Sequence, residues 1–214
     1  MKKGKILFII FIVFLLILIA VFVRNYFLLS KALATLEPTD NFKCTLVSYS
    51  SDQIEEKTHT LYIKKDQISK SITSKPQYTE ITTWRNEQTD EGLSLSSTDR
   101  TAYTGKSSEF STLTSLPSFA TIIEGNSDFH LLVYSMTHII PAQKLDGKPC
   151  TLISIGHESY WVDQETGLIR KIVSKDDNQV DHIMEYQNIE INVVSDKDVE
   201  KPDLTDYSLK SIQN

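Results

Sequence analysis

Residues Ile6 to Val23 are eighteen consecutive apolar positions, with Leu, Ile, Val and Phe on every face of any helix they form. At 1.5 Å rise per residue that helix is about 27 Å long, close to the thickness of a bilayer hydrocarbon core. A surface helix of a soluble domain keeps a polar face, and this run has none. It is also longer than the apolar stretch of a secretory signal, which runs to about 7–15 residues. Ala32-Leu33-Ala34 is a small-x-small sequence, but it lies eleven residues beyond Val23, past Arg24 and Lys31. The reading is therefore an uncleaved anchor, with cleavage after Ala34 as the alternative. No Cys closes the apolar run, and Cys44 sits in Asn-Phe-Lys-Cys, which is not a lipobox. Lys2, Lys3 and Lys5 precede the run. Positive flanks stay on the inner side, so the N-terminus is expected in the cytoplasm and the remainder outside.

This places a cytoplasmic tip and transmembrane anchor at residues 1–24, followed by a juxtamembrane helix at 25–38. Leu29, Leu33 and Leu36 recur there at helical spacing and Pro38 ends the pattern. A β domain over 39–195 and an acidic, irregular tail over 196–214 complete the chain. Charge divides in the same way. Lys2, Lys3, Lys5 and Arg24 flank the anchor, and the rest carries 18 cations against 28 acids, a net charge of −10. A domain so acidic, without a basic stripe, repels phosphate, which excludes nucleic-acid binding.

From Asn41 to Gly105 short runs rich in Thr, Tyr, Ile and Val alternate with charged or Gly/Asn turns. Strands are expected at 42–50, 58–65, 67–73, 78–84, 92–97 and 101–105, the spacing of an antiparallel meander. Residues 107–115 are rich in Ser and Thr and read as a loop. A short helix is expected at 117–123. A second is expected after the N-cap signal Asn126-Ser127-Asp128. There Phe129, Leu132, Val133, Met136, Ile139 and Ile140 form an amphipathic stripe, and Pro141 ends it. Strands resume at 148–155, 159–163, 168–174 and 180–193. Pro202 argues against a regular strand in the tail.

Chemistry-bearing motifs are absent from the sequence. Neither His-Glu-x-x-His nor Cys-x-x-Cys occurs, and there is no Gly-x-Ser-x-Gly elbow or phosphate-binding Gly-rich loop. His157-Glu158 stops short of the metalloprotease pattern. Asp196, Asp198 and Glu200 lack the rest of a calcium loop. The expectation is a non-enzymatic protein without metal or cofactor. Cys44 and Cys150 are the two thiols, both in expected strands. An even count in an oxidising compartment points to a disulfide; two buried reduced thiols are the alternative.

The segment Leu145-Asp146-Gly147-Lys148-Pro149-Cys150-Thr151-Leu152-Ile153 leads into Tyr160-Trp161-Val162-Asp163-Gln164-Glu165-Thr166-Gly167-Leu168-Ile169, and then into Tyr186-Gln187-Asn188-Ile189 and Asn192. Over residues 145–193 this resembles the C-terminal half of the outer-membrane lipoprotein carrier (LolA/LolB-like) superfamily. It also resembles the Gram-positive germination lipoprotein relatives of that superfamily, which are likewise membrane-anchored. The N-terminal half matches only in its layout of strands and turns.

The resemblance implies a mainly β (α+β) fold: a single transmembrane helix followed by a curved antiparallel β half-barrel covered by two or three helices. In the hairpin motif Trp161 would bury a large surface, Asp163 and Thr166 would bond turn amides, and Gly167 would take a positive φ. In the carriers the cavity holds acyl chains, so Phe129, Leu132, Val133 and Met136 would line or cover it; the same stripe would equally complete a dry core. The germination relatives imply a protein partner, a cell-wall amidase. Two functions follow, an interaction or assembly module of the envelope and a binder of acyl chains or lipoproteins. A fixed tether favours the first over shuttling between membranes.

Overall fold

In the computed structural model the apolar run forms the middle of α1 (Lys2–Leu33), one unbroken helix of 32 residues. The structure describes residues 2–33, 41–51, 53–64, 68–74, 80–110, 116–124 and 139–212. The other elements are β1 (Phe42–Ser50), β2 (Gln53–Lys64), β3 (Ile68–Ser74), β4 (Glu80–Asn86), β5 (Glu91–Ser96), β6 (Thr101–Gly105), a 3₁₀ turn (Ser107–Glu109), α2 (Phe119–Glu124), β7 (Ile139–Leu145), β8 (Lys148–Ile155), β9 (Glu158–Asp163), β10 (Ile169–Lys175), β11 (Asp181–Ile191) and β12 (Ser208–Ser211). The fold is mainly β with one N-terminal apolar helix, and its strands are not closed into a barrel.

The contacts divide the chain into two compact units. The first is Met1–Thr35 with Ser118–Leu168; the second is Leu36–Pro117 with Ile169–Asn214. In the first unit β7, β8 and β9 are antiparallel neighbours in that order. On one face Ile139, Thr151, Ile153, Tyr160 and Val162 are buried, with Phe119 of α2 against Tyr160; on the other, Cys150 and Asp163 are buried. The rings of Phe119 and Tyr160 meet edge-to-face at 6.0 Å. α1 is exposed along its apolar length, then packs on α2 and β7 through its last turns. Asn25, Leu29 and Ala32 are buried there, at the i, i+4, i+7 spacing of one helix face.

In the second unit the strand order is β12-β6-β5-β4-β3-β2-β1-β11-β10. Every described pair among them is antiparallel except β12 on β6, which is parallel. Register and the period-2 alternation put Val47, Ile72, Trp84, Leu93, Leu95 and Ala102 on one face. All but the half-buried Ile72 are buried, and the opposite face also carries buried Phe42, Cys44, Ser69 and Ser71, so this sheet is covered on both faces here. On that opposite face Gly92 pairs with Gly105. A side chain at Gly92 would collide with the buried ring of Phe110, which follows the 3₁₀ turn. The missing Cβ atoms are what let that turn lie flat on the sheet.

The structure corrects two expectations. Ile139 and Ile140 do not end a helix; they open β7. Their exposures, 4% and 58%, show the in–out alternation of a strand. Pro141 is tolerated because β7 has a register irregularity between Pro141 and Lys144, where a missing N–H costs little. The tail is not irregular throughout: Ser208–Ser211 form β12, beyond the reach of Pro202. Trp161 is half-buried, and its neighbour Tyr160 is buried in the core. This follows from alternation, since Tyr160 and Val162 share the inward face of β9. The residues expected to form the second amphipathic helix up to position 138 lie outside the described residues.

Candidate functional site

The turn after β9 is built around Asp163, which is fully buried. Its Oδ1 accepts hydrogen bonds from the backbone N–H of Glu165 at 2.8 Å and of Thr166 at 3.2 Å. Its carbonyl accepts one from the N–H of Gly167 at 2.9 Å, and Gly167 takes φ +69°. The hydroxyl of Thr166 accepts from the N–H of Leu168 at 3.3 Å. The carbonyl of Gly167 in turn accepts from the N–H of Phe119 at 3.1 Å, which docks the start of α2 on the hairpin. Ser118 caps α2 by accepting from the N–H of Thr121 at 3.3 Å. Asp163, Thr166 and Gly167 thus hold a corner together, with the bonds above directed inward to backbone.

Tyr160 donates to Glu158 beside this corner. Burial first, then the bond to Glu158 and the charge of Glu158, push its phenol up. It stays a neutral donor at physiological pH.

A second cluster lies in the second unit, on the face of β1, β10 and β11 that carries Val47. Val47 pairs with Glu185, which pairs with Lys171; Tyr49 pairs with Ile183, which pairs with Val173. Lys171 Nζ lies 2.5 Å from Glu185 Oε1, with side-chain exposures of 19% and 21%. The Tyr49 hydroxyl donates to the same oxygen at 3.3 Å, and Gln187 Nε2 donates to Oε2 at 3.1 Å. Burial pushes the Glu185 carboxyl upward. Hydrogen bonds from Lys171, Gln187 and Tyr49, with the charge of Lys171, outweigh it and hold the carboxyl below the usual range. The result is a polar island among half-buried Val173 and Ile183. It suits recognition of a polar group next to an apolar one, and its carboxylate is ionised at neutral pH. The sequence reading missed this pair. The signal was available in register: counting outward from the closing pair Lys175↔Asp181 brings Lys171 opposite Glu185.

Cys44 and Cys150 are both buried and no disulfide joins them. Burial pushes the Cys44 thiol up to about 12. The phenol of Tyr186 is also pushed up to about 12, by burial and by the charge of Cys44. Among the described residues no group of three or more His, Cys, Asp or Glu could hold a metal ion. Phe129, Leu132, Val133 and Met136, the expected cavity or lid residues, lie outside the described residues.

No family model matches the sequence, and no curated protein matches it. Solved structures do. An uncharacterized conserved protein from Thermus thermophilus aligns with a TM-score of 0.53 at 9% identity, over 86% of this chain and 96% of that one. This likeness shows a shared fold. The MucA/MucB complex of Pseudomonas aeruginosa aligns with a TM-score of 0.43 at 9% identity, over 85% of this chain and 60% of that one. A LolA superfamily protein from Nitrosomonas europaea aligns with a TM-score of 0.37 at 12% identity, over 81% of this chain and 96% of that one. The structural neighbours thus include LolA-superfamily and MucB proteins.

Proposed function

We propose that this chain is a membrane-anchored, extracytoplasmic β domain that works by binding, as an interaction or assembly module of a cell envelope. The observation that carries this reading is α1. No residue of its apolar run from Ile6 to Val23 is buried, and the same helix continues into packed contact with α2 and β7. A domain held on a stalk meets its partner in place and does not ferry cargo. The Lys residues ahead of the span orient it with the domain outside. The sequence resemblance to germination lipoproteins supports a cell-wall amidase as the partner class, in a Gram-positive envelope.

The test is native co-purification of the full chain from detergent-solubilised envelope membranes, scored against membranes from cells lacking it. A specific protein partner at defined stoichiometry is expected. Return of the bait alone, after crosslinking as well as without it, would overturn the reading.

A second reading, binding of acyl chains or lipoprotein, draws on the island at Lys171 and Glu185 beside half-buried Val173 and Ile183. The carrier-like motif over residues 145–193 supports it. Mass spectrometry of chloroform extracts from the purified full chain checks it. Co-purified lipid that Lys171→Met and Ile183→Asp reduce is expected; lipid unchanged by both variants would count against it.

A further inference from the structure

The junction between α1 and the β domain leaves no room for a linker. The apolar run ends at Val23, and the first buried position of the helix is Asn25, 5% exposed. Two residues of helix advance about 3 Å. A bilayer is about 40–45 Å thick with its headgroups and about 30 Å without, so each headgroup layer is roughly 6 Å deep. The α2 and β7 surfaces that pack on α1 therefore begin within that layer. Nothing in α1 bends to relieve this: after Gly4 the helix contains neither Gly nor Pro. The exposed side chains at this level fit an interface. Tyr26 and Phe27 are 56% and 63% exposed and pack edge-to-face at 6.1 Å, and Arg24 precedes them. Ile140, also exposed, stands on β7, the strand packed on α1.

We infer that the corner formed by α1, α2 and β7 is a membrane-seating surface: the first unit rests in the outer lipid headgroup layer, with Tyr26, Phe27 and Ile140 entering the interface and α1 fixing its orientation. The partner is the lipid surface itself. This rests on the anchor reading above and adds to it. A tether alone leaves a domain free to tumble over the membrane. A rigid helix packed into the first unit presents one side of that unit to lipid.

Depth measurement by spin labelling tests this in the full chain reconstituted into phosphatidylcholine vesicles with a minority of phosphatidylglycerol. Ile140→Cys and Lys148→Cys are each labelled with a nitroxide; Cys44 and Cys150 are buried, and unsubstituted protein carried through the same labelling sets the background. Leu152, the partner of Ile140, lies four residues up β8 from Lys148, about 13 Å along the strand. The expected result is relaxation of the Ile140 label by oxygen over a water-soluble nickel chelate, as for a group at or below the phosphates. The Lys148 label should behave as aqueous. A Gly-Ser-Gly-Ser insertion between Val23 and Arg24 should return the Ile140 label to water. An aqueous Ile140 label in protein that resists alkaline carbonate extraction overturns the seating and leaves the anchor reading standing. Release by carbonate overturns both. An Ile140 label that stays at lipid depth despite the insertion overturns the role given to the helix.

Discussion

The indole Nε1 of Trp84 donates a 2.9 Å hydrogen bond to the backbone carbonyl of Val199, 115 residues away in sequence. Both residues are buried. Lys201 lies 5.5 Å from the Trp84 ring centroid and reaches Glu91 at 2.9 Å, so the start of the acidic tail is fastened to β4 and β5. Trp84→Phe keeps most of the ring and removes the donor, leaving a buried carbonyl unsatisfied at a cost of about 1–2 kcal/mol. Chemical denaturation should show that loss, and trypsin should cut after Lys197 sooner. Unchanged cleavage kinetics would mean that the bond does not hold the tail.

Asp163 is the residue on which the β9 turn depends. Asp163→Ala strands the amides of Glu165 and Thr166 and opens the contact between Gly167 and Phe119. A loss of about 2–3 kcal/mol is expected, since two backbone amides lose their acceptor at a buried position. Asp163→Asn retains one carbonyl oxygen and should lose less. Thermal unfolding of the pair checks the ordering, and equal losses would contradict it.

Much of this fold was legible from short-range pattern. β1, β6 and β8 have the expected bounds, since turn residues bracket each run of Thr, Tyr, Ile and Val. β7 was hidden because Ile139 and Ile140 also complete a helical period begun at Phe129. The decisive signal was nearby: Asp146 and Gly147 take φ of +54° and +74°, the two-residue turn that joins antiparallel strands. An Asp-Gly turn requires a strand before it as well as after it, which reassigns Ile139–Leu145. β12 gave no such signal. Its residues are exposed and its pairing with β6 is parallel, so neither alternation nor a turn announces it. The ion pair of Lys171 and Glu185 depends on register across a hairpin, which composition does not encode.

That ion pair should be visible in the acid limb of stability. The folded carboxyl of Glu185 lies below its ordinary value, so its contribution is complete above the unfolded value of about 4.3 and fades as pH falls through the lower folded one. In Lys171→Met the push from burial meets fewer opposing contacts and the carboxyl moves up. The variant should be less stable near neutrality and lose less on acidification, so the two profiles converge at low pH. Asp176, Asp198 and Asp203 are also held low, by local hydrogen bonds, but they are common to both proteins and cancel in the comparison. Parallel profiles from urea titrations across the acid range would show that Lys171 is not the cause.

The thiols provide the last test. Cys44 is buried with its thiol pushed up to about 12, and Cys150 is fully buried, so neither presents a thiolate to solvent at about pH 8. Iodoacetamide should leave the native full chain unmodified. After denaturation without reductant, both cysteines should alkylate, because no bond joins them. Intact-mass spectrometry reads both results at once. Alkylation only after reductant would mean that a disulfide forms in the cell envelope. Labelling of the native protein would mean that the strands holding Cys44 and Cys150 open at a cost far below global unfolding.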